Sequence, residues 1–182
     1  MTVCRRERGT ITLAIDEQSE TPASVTNLTT LLASGFGVGL SPVAPGTMGS
    51  LVGIACFYPL LGVSSAIQWS TFFVACAVAI VSAERAGKAW GVMDHPAIVI
   101  DEVVGVWLAV LMPLSILTFS VSLPLLAVGA FLAFRLYDIV KPWPVRWADK
   151  NIGGATGIML DDILAGIWAA LVLLAAREFG LI

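Results

Sequence analysis

The chain has 182 residues, of which 58% are apolar and only 13% are charged, and its mean hydropathy is +0.90. Soluble domains have roughly 45–50% apolar and about 25% charged residues, so this composition excludes a disordered chain and argues against a soluble globule. The formal net charge of −3 leaves no basic surplus to neutralise a phosphate backbone, so we expect no nucleic-acid partner.

We predict that residues 1–23 form a polar, poorly ordered N-terminal extension and that residues 24–182 form a single integral membrane domain. The apolar run at 11–15 is too short for the core of a signal peptide. The side chains of Val25, Leu28, Leu31 and Leu32 share one helical face. That periodicity predicts a short helix on the membrane surface.

Three long stretches lack any Asp, Glu, Lys or Arg, at residues 21–83, 103–134 and 163–176. A soluble protein needs charge on its exposed faces, so the expected solvent of these stretches is lipid. We predict a helical hairpin over 49–80 that breaks near 62–66, a second over 103–134 that breaks near 119–124, and a last helix over 163–176. Residues 49–61 are short for a crossing and contain Pro59, which favours a re-entrant segment. The predicted fold is an all-α polytopic membrane bundle with short or re-entrant helices and four or five crossings.

Basic residues cluster at 5–8, 85–88 and 135–150. If each hairpin returns the chain to its starting side, these clusters share one face of the membrane, and the positive-inside rule predicts that this face is cytoplasmic. The polar segments between the apolar stretches then converge on that face.

The first polar segment, residues 35–50, is rich in glycine and hydroxyl side chains. Gly46, Thr47 and Ser50 are candidate phosphate ligands, because glycine lets backbone N–H groups approach an anion and a helix N-terminus favours negative charge. A plain tight turn at the membrane edge is the alternative. The second segment, 94–102, ends in Asp101 and Glu102 directly before an apolar run, where helix capping is the alternative role.

Arg135, Asp138 and Lys141 are spaced by three, which places them on one face of a helix that Pro142 ends. The alternative is a purely structural ladder of salt bridges at the membrane interface. Asp161 and Asp162 then precede the last apolar run, in the same arrangement as the acid pair of the second segment.

Two acid pairs on one membrane face predict a metal site. Asp101, Glu102, Asp161 and Asp162 would repel one another without a cation, and Mg²⁺ prefers such hard oxygen ligands. Arg135 and Lys141 are suited to phosphate oxygens. The set therefore predicts phosphoryl transfer in which a Mg²⁺-activated water attacks phosphorus and a carboxylate takes the proton.

The general base stays open between Asp138 and a member of the acid pairs. The only histidine, His95, is interpreted as a loop residue with a catalytic part as its alternative. No cysteine falls in a polar segment that carries these acids, so a thiolate nucleophile is not expected.

Four motifs in order carry a family resemblance: GVGLSPVAPGTMGS at 37–50, IDEVVG at 100–105, FRLYDIVKPWP at 134–144 and GIMLDD at 157–162. Together they resemble the bacterial phosphatidylglycerophosphatase A family. The resemblance implies a Mg²⁺-dependent lipid phosphatase of the bacterial cytoplasmic (inner) membrane. Its substrate would be phosphatidylglycerophosphate, and hydrolysis would yield phosphatidylglycerol for phospholipid biosynthesis.

Two other classes remain as alternatives. A membrane phospho-alcohol transferase would show a longer Asp-Gly…Ala-Arg…Asp pattern, which this sequence lacks. An ion-coupled transporter would place its acids near mid-bilayer, whereas these acids adjoin the ends of apolar runs. The sequence therefore favours chemistry at the membrane surface.

Overall fold

The computed structural model describes residues 22–116 and 122–180, which are helical without any strand. Within these two ranges, seven α-helices follow in chain order: α1 Leu28–Ala33, α2 Pro45–Phe57, α3 Ser65–Trp90, α4 Ile100–Ile116, α5 Leu123–Val140, α6 Val145–Asn151 and α7 Gly154–Glu178. Short 3₁₀ turns at Val38–Leu40 and Tyr58–Gly62 join the first elements. The predicted all-α class is confirmed.

Three of the described helices, α3, α5 and α7, are long and apolar enough to cross a membrane. Helix α4 has 17 residues, the lower end of the roughly 17–25 that a crossing requires. Helix α2 has 13 residues and continues into a 3₁₀ turn, which agrees with the predicted short segment. The count of four or five crossings stays a prediction.

Several predicted boundaries can be compared with the helices. The break near 62–66 is confirmed, because α3 begins at Ser65 after the 3₁₀ turn. Residues 119–121 of the second predicted break lie outside the described residues, as do residues 1–21 of the predicted N-terminal extension.

Four predicted helix starts are wrong. Those of the two hairpins are late, because α2 begins at Pro45 and not at 49, and α4 begins at Ile100 and not at 103. The surface helix begins at Leu28 and leaves Val25 outside, because the Asn27 side chain accepts the backbone N–H of Thr30 at 3.0 Å and caps the helix there. The last helix begins at Gly154, so Asp161 and Asp162 lie inside its first turns and do not precede it. Loss of charge marks where lipid begins, whereas backbone hydrogen bonds decide where a helix begins.

The hairpins return to one end of the bundle. At that end Gly46, near the start of α2, packs on Glu102 of α4 and Arg135 of α5. Near the end of α3, Gly87 packs on the backbone of Met93 in the loop that leads to α4. The polar segments therefore meet at one end of the bundle, which we call the site end.

Helix α4 lies at the centre of the bundle and packs most extensively against α7. The two backbones touch where Gly105 faces Gly166: a Cβ on Gly166 would stand 2.4 Å from the Gly105 carbonyl oxygen. Small residues allow such close helix approach in membranes. A Cβ on Gly105 would also stand 2.9 Å from the carbonyl oxygen of Asp162. This crossing therefore brings the acids of α4 beside those of α7.

Candidate active site

A cavity of about 260 Å³ opens at the site end. It is bounded by the loop before α4, the first turn of α4, the end of α5, α6 and the start of α7. Its ionisable lining side chains are Asp94, His95, Asp101, Glu102, Asp138, Lys141, Asp149, Asp161 and Asp162. Seven of these are carboxylic acids and one is a lysine, so the cavity carries a strong excess of acidic groups.

Three of the predicted metal ligands form a close group. Asp101, Glu102 and Asp162 each offer a carboxylate oxygen, and these oxygens lie within 4.8 Å of one another. The aspartates are buried. Asp101 Oδ1 and Glu102 Oε2 are buried without a hydrogen-bond partner among the described residues. Buried carboxylate oxygens that face one another without a donor are costly, so this group fits a divalent cation.

Asp161 occupies a different position from its neighbour. Its Oδ2 accepts a hydrogen bond from Lys141 Nζ at 2.5 Å, its Oδ1 is buried without a partner among the described residues, and Asp161 does not belong to the group of three. The four acids of the predicted ligand set thus separate into three that face one another and one with a lysine partner. A metal-binding role for Asp161 stays a prediction.

Lys141 links two elements across the cavity. It ends α5 in the left-handed conformation, with φ 47°, and its Nζ donates to Asp149 of α6 and to Asp161 of α7. Burial lowers the pKa of Lys141, but the hydrogen bonds and charges of the two aspartates outweigh burial and raise it above the usual lysine value. Lys141 is therefore a fixed cation at the cavity wall.

Arg135 and Asp138 form the remainder of the predicted ladder. Arg135 Nη1 lies 2.6 Å from Asp138 Oδ2 and 3.9 Å from Glu102 Oε1. Asp138 lines the cavity, whereas Arg135 is not among the lining residues. The guanidinium therefore contacts the carboxylates of Asp138 and Glu102 without lining the cavity. Phosphate binding by Arg135 stays a prediction.

Sequence reasoning missed Asp149 altogether. It lies on the short helix α6 and accepts a hydrogen bond from Lys141, which also donates to Asp161. The spacing between Lys141 and Asp149 matches no helical repeat, because Pro142 and Pro144 interrupt the helix between them. The sequence therefore gives no sign of the turn that brings the two side chains together. Only the folded chain reveals this contact.

A sequence profile of the family described as phosphatidylglycerophosphatase A matches residues 31–177. The chain belongs to this family. It is 38% identical over 148 residues to phosphatidylglycerophosphatase A of Escherichia coli K12, which covers 79% of this chain and 80% of the relative. It is 39% identical over 159 residues to phosphatidylglycerophosphatase A of Haemophilus influenzae, covering 85% and 91%.

A third relative carries a different name. It is a protein of Bacteroides thetaiotaomicron, provisionally named a phosphatidylinositol-3-phosphatase, at 36% identity over 157 residues that cover 82% of this chain and 94% of the relative. No solved structure matches the chain significantly. The resemblance drawn from the four motifs is thus confirmed by the family match.

The glycine-rich motif of the family packs around the site in this chain. Gly46, Thr47 and Ser50 are not among the residues that line the cavity. Ser50 is fully buried, and its hydroxyl donates to the Gly46 carbonyl oxygen at 2.9 Å. A Cβ on Gly46 would stand 2.2 Å from Glu102 Oε1 and 3.0 Å from Arg135 Nη1. The described contacts thus give Gly46 a packing role, and phosphate binding by these three residues stays a prediction.

The close approach at Gly46 makes a testable prediction. We expect Gly46→Ala to lower phosphatase turnover about tenfold or more, because the new methyl group must displace the Glu102 carboxylate from the group of three. Gly62→Ala is the matched control, since a Cβ there meets no atom within 4 Å. Initial rates of phosphate release from both purified variants measure the effect. Equal rates in the two variants would contradict it.

Proposed function

We propose that the protein hydrolyses the terminal phosphomonoester of phosphatidylglycerophosphate, with Mg²⁺, to give phosphatidylglycerol and phosphate. Family membership supports the substrate. The observation that carries the proposal is the close group formed by Asp101, Glu102 and Asp162, which lines the same cavity as Lys141 and includes two buried oxygens without a hydrogen-bond partner among the described residues, Asp101 Oδ1 and Glu102 Oε2. Carboxylates for a metal ion beside a cation for phosphate are the parts that phosphoryl transfer needs.

Asp101, Glu102 and Asp162 would hold the Mg²⁺. When bound there, Mg²⁺ supplies positive charge for the phosphate and activates water as the nucleophile. Lys141 contributes an additional cation at the phosphate. Asp138 and Asp161 lie at the cavity outside the group of three, and each has a cationic partner. Either carboxylate, in its ionised form, can accept a proton from the attacking water.

We infer that the site end faces the cytoplasm in the inner membrane. Basic residues near the ends of α3, α5 and α6 lie at the site end, whereas Arg177 lies at the far end of α7. In a variant whose three native cysteines are replaced by alanine, a cysteine in place of the exposed Lys150 would react with an impermeant maleimide in inside-out vesicles and not in intact spheroplasts. Labelling in intact spheroplasts would reverse the orientation.

The activity is tested with the full chain purified in detergent. Phosphate release from dispersed phosphatidylglycerophosphate is measured with Mg²⁺, after chelation, and after Mg²⁺ is restored. We expect turnover to stop on chelation and to return with the metal ion. Phosphatidylinositol 3-phosphate is assayed in parallel because one relative carries that substrate in its name. Higher kcat/KM for the inositol lipid would replace the proposed substrate and retain the phosphatase chemistry.

The same preparation separates the two alternative classes. A phospho-alcohol transferase would form a new phosphodiester without releasing phosphate. An ion-coupled transporter would move cations in liposomes and release none. Absence of phosphate release from every lipid phosphomonoester, in a folded protein supplied with Mg²⁺, would refute the proposed function.

A further inference from the structure

The loop between α3 and α4 brings a histidine to the cavity. His95 lines the cavity together with the carboxylates. It lies well before Asp101 in the chain and is not part of the group of three acids. None of the chemistry described above uses it.

The His95 ring is held in one orientation. Its Nδ1 accepts the backbone N–H of Ala97 at 3.1 Å, and the ring packs on Trp90 with centroids 5.2 Å apart. A neutral imidazole that accepts at Nδ1 carries its proton on Nε2. No described residue accepts a hydrogen bond from this Nε2–H, which is therefore a free donor.

The loop that carries the ring is itself fixed. The backbone N–H of Val99 donates to the Ala33 carbonyl oxygen at 2.9 Å. A Cβ on Gly39 would stand 2.2 Å from the Ala97 carbonyl oxygen, and one on Gly49 would stand 3.0 Å from the Val99 carbonyl oxygen. The glycine-rich segment thus packs directly on this loop. Its contacts hold His95 in place before any ligand enters.

A phosphate that enters this cavity needs hydrogen-bond donors. Most ionisable lining side chains are carboxylic acids, which repel phosphate when they are ionised. Lys141 already donates to Asp149 and Asp161. The Nε2–H of His95 has no acceptor within the described part of the chain, and Lys141 keeps one further N–H beyond the two that it donates.

We propose that His95 is a further catalytic residue, whose Nε2–H donates a hydrogen bond to a phosphate oxygen of the substrate. This inference rests on the proposed phosphatase function. The neutral ring acts as a positioned donor and transfers no proton in this role.

Two substitutions distinguish the role of Nδ1 as an acceptor from the role of Nε2 as a donor. His95→Asn keeps an oxygen that can accept the Ala97 N–H but lacks the distal donor. His95→Gln places an N–H donor at about the distance of Nε2. We expect kcat/KM to fall about ten- to a hundredfold in His95→Asn, the usual range for a lost hydrogen bond to a charged group, and to recover in part in His95→Gln. A value for His95→Asn within about twofold of the unaltered protein would overturn the proposal.

The unaltered protein supplies an independent measurement, because the sequence contains one histidine. Imidazole ¹⁵N labelling therefore gives a single pair of ring resonances. We expect the Nε2–H tautomer in the free protein, and a shift of Nε2 when inorganic phosphate is added with Mg²⁺ at concentrations that inhibit turnover. An Nε2 resonance unchanged at full inhibition would overturn the proposal even if both variants failed to fold.

The outcomes are distinct from failure of the proposed function. If the unaltered protein releases no phosphate, the phosphatase assignment fails. If it turns over normally while His95→Asn and His95→Gln lose activity and thermal stability equally, His95 serves the loop alone and this inference fails. Activity lost in His95→Asn at unchanged thermal stability, with partial recovery in His95→Gln, supports it.

Discussion

Asp162→Asn is expected to reduce phosphate release about a thousandfold or more, because it removes one charge from the group proposed to hold Mg²⁺ without changing side-chain size. The purified variant should fold and should bind Mg²⁺ more weakly. Phosphate release and Mg²⁺ titration calorimetry measure the two effects. A loss confined to kcat at unchanged Mg²⁺ affinity would contradict the metal role.

Asp161→Asn is the informative comparison for that experiment. Asp161 is the adjacent residue, but its carboxylate contacts Lys141 and lies outside the group of three. We expect a smaller loss of turnover than in Asp162→Asn and a smaller change in Mg²⁺ affinity. Glu84→Gln, at an exposed acid that pairs with Lys88 on α3, should leave both unchanged. If Asp161→Asn proves the more damaging for metal binding, the ligand set must be redrawn around Asp161.

Lys141→Met should lower kcat/KM about a hundredfold or more, since it removes the fixed cation from the cavity. It should also lower the melting temperature, because Asp161 is buried and would lose its counter-charge. Steady-state kinetics and thermal unfolding in detergent report the two losses separately. The control is Lys88→Met, which removes a solvent-exposed i,i+4 ion pair of small expected value.

A double substitution distinguishes the two contributions of Lys141. In Lys141→Met combined with Asp161→Asn, the buried aspartate no longer needs a counter-charge, so thermal stability should recover towards that of the unaltered protein. Turnover should stay low, because the cation is still missing. Recovery of turnover along with stability would show that Lys141 acts through the fold alone.

The positions of the acids illustrate how far sequence reasoning reached. The acid pair in the first turn of α4 and the break before α3 were predictable, because charge and chain-breaking residues mark the ends of apolar runs. The choice between Asp161 and Asp162 was not. Successive helical residues point about 100° apart, so one of two neighbours can face α4 while the other does not. The contact of Gly105 with Gly166 sets which one does.

The glycine-rich motif shows a second limit. Glycine allows backbone N–H groups to bind an anion, and it also allows helices to pack closely. The same glycine-rich sequence is compatible with either role. Contacts of Gly46 with Glu102 and of Gly39 with Ala97 exist only after α2, α4 and the intervening loop have come together. The donor role proposed for His95 could not be predicted from the sequence either, since it depends on which ring nitrogen accepts the hydrogen bond from the Ala97 N–H.

The sequence by itself determined the class of the protein, because long stretches without charge require lipid, and it determined the family, because four motifs occur in order. Only the tertiary structure decided which carboxylates face one another and which carry a cationic partner. The reason is that electrostatic and hydrogen-bond energies depend on distances between side chains from different helices. Those distances are set by how closely the helices pack.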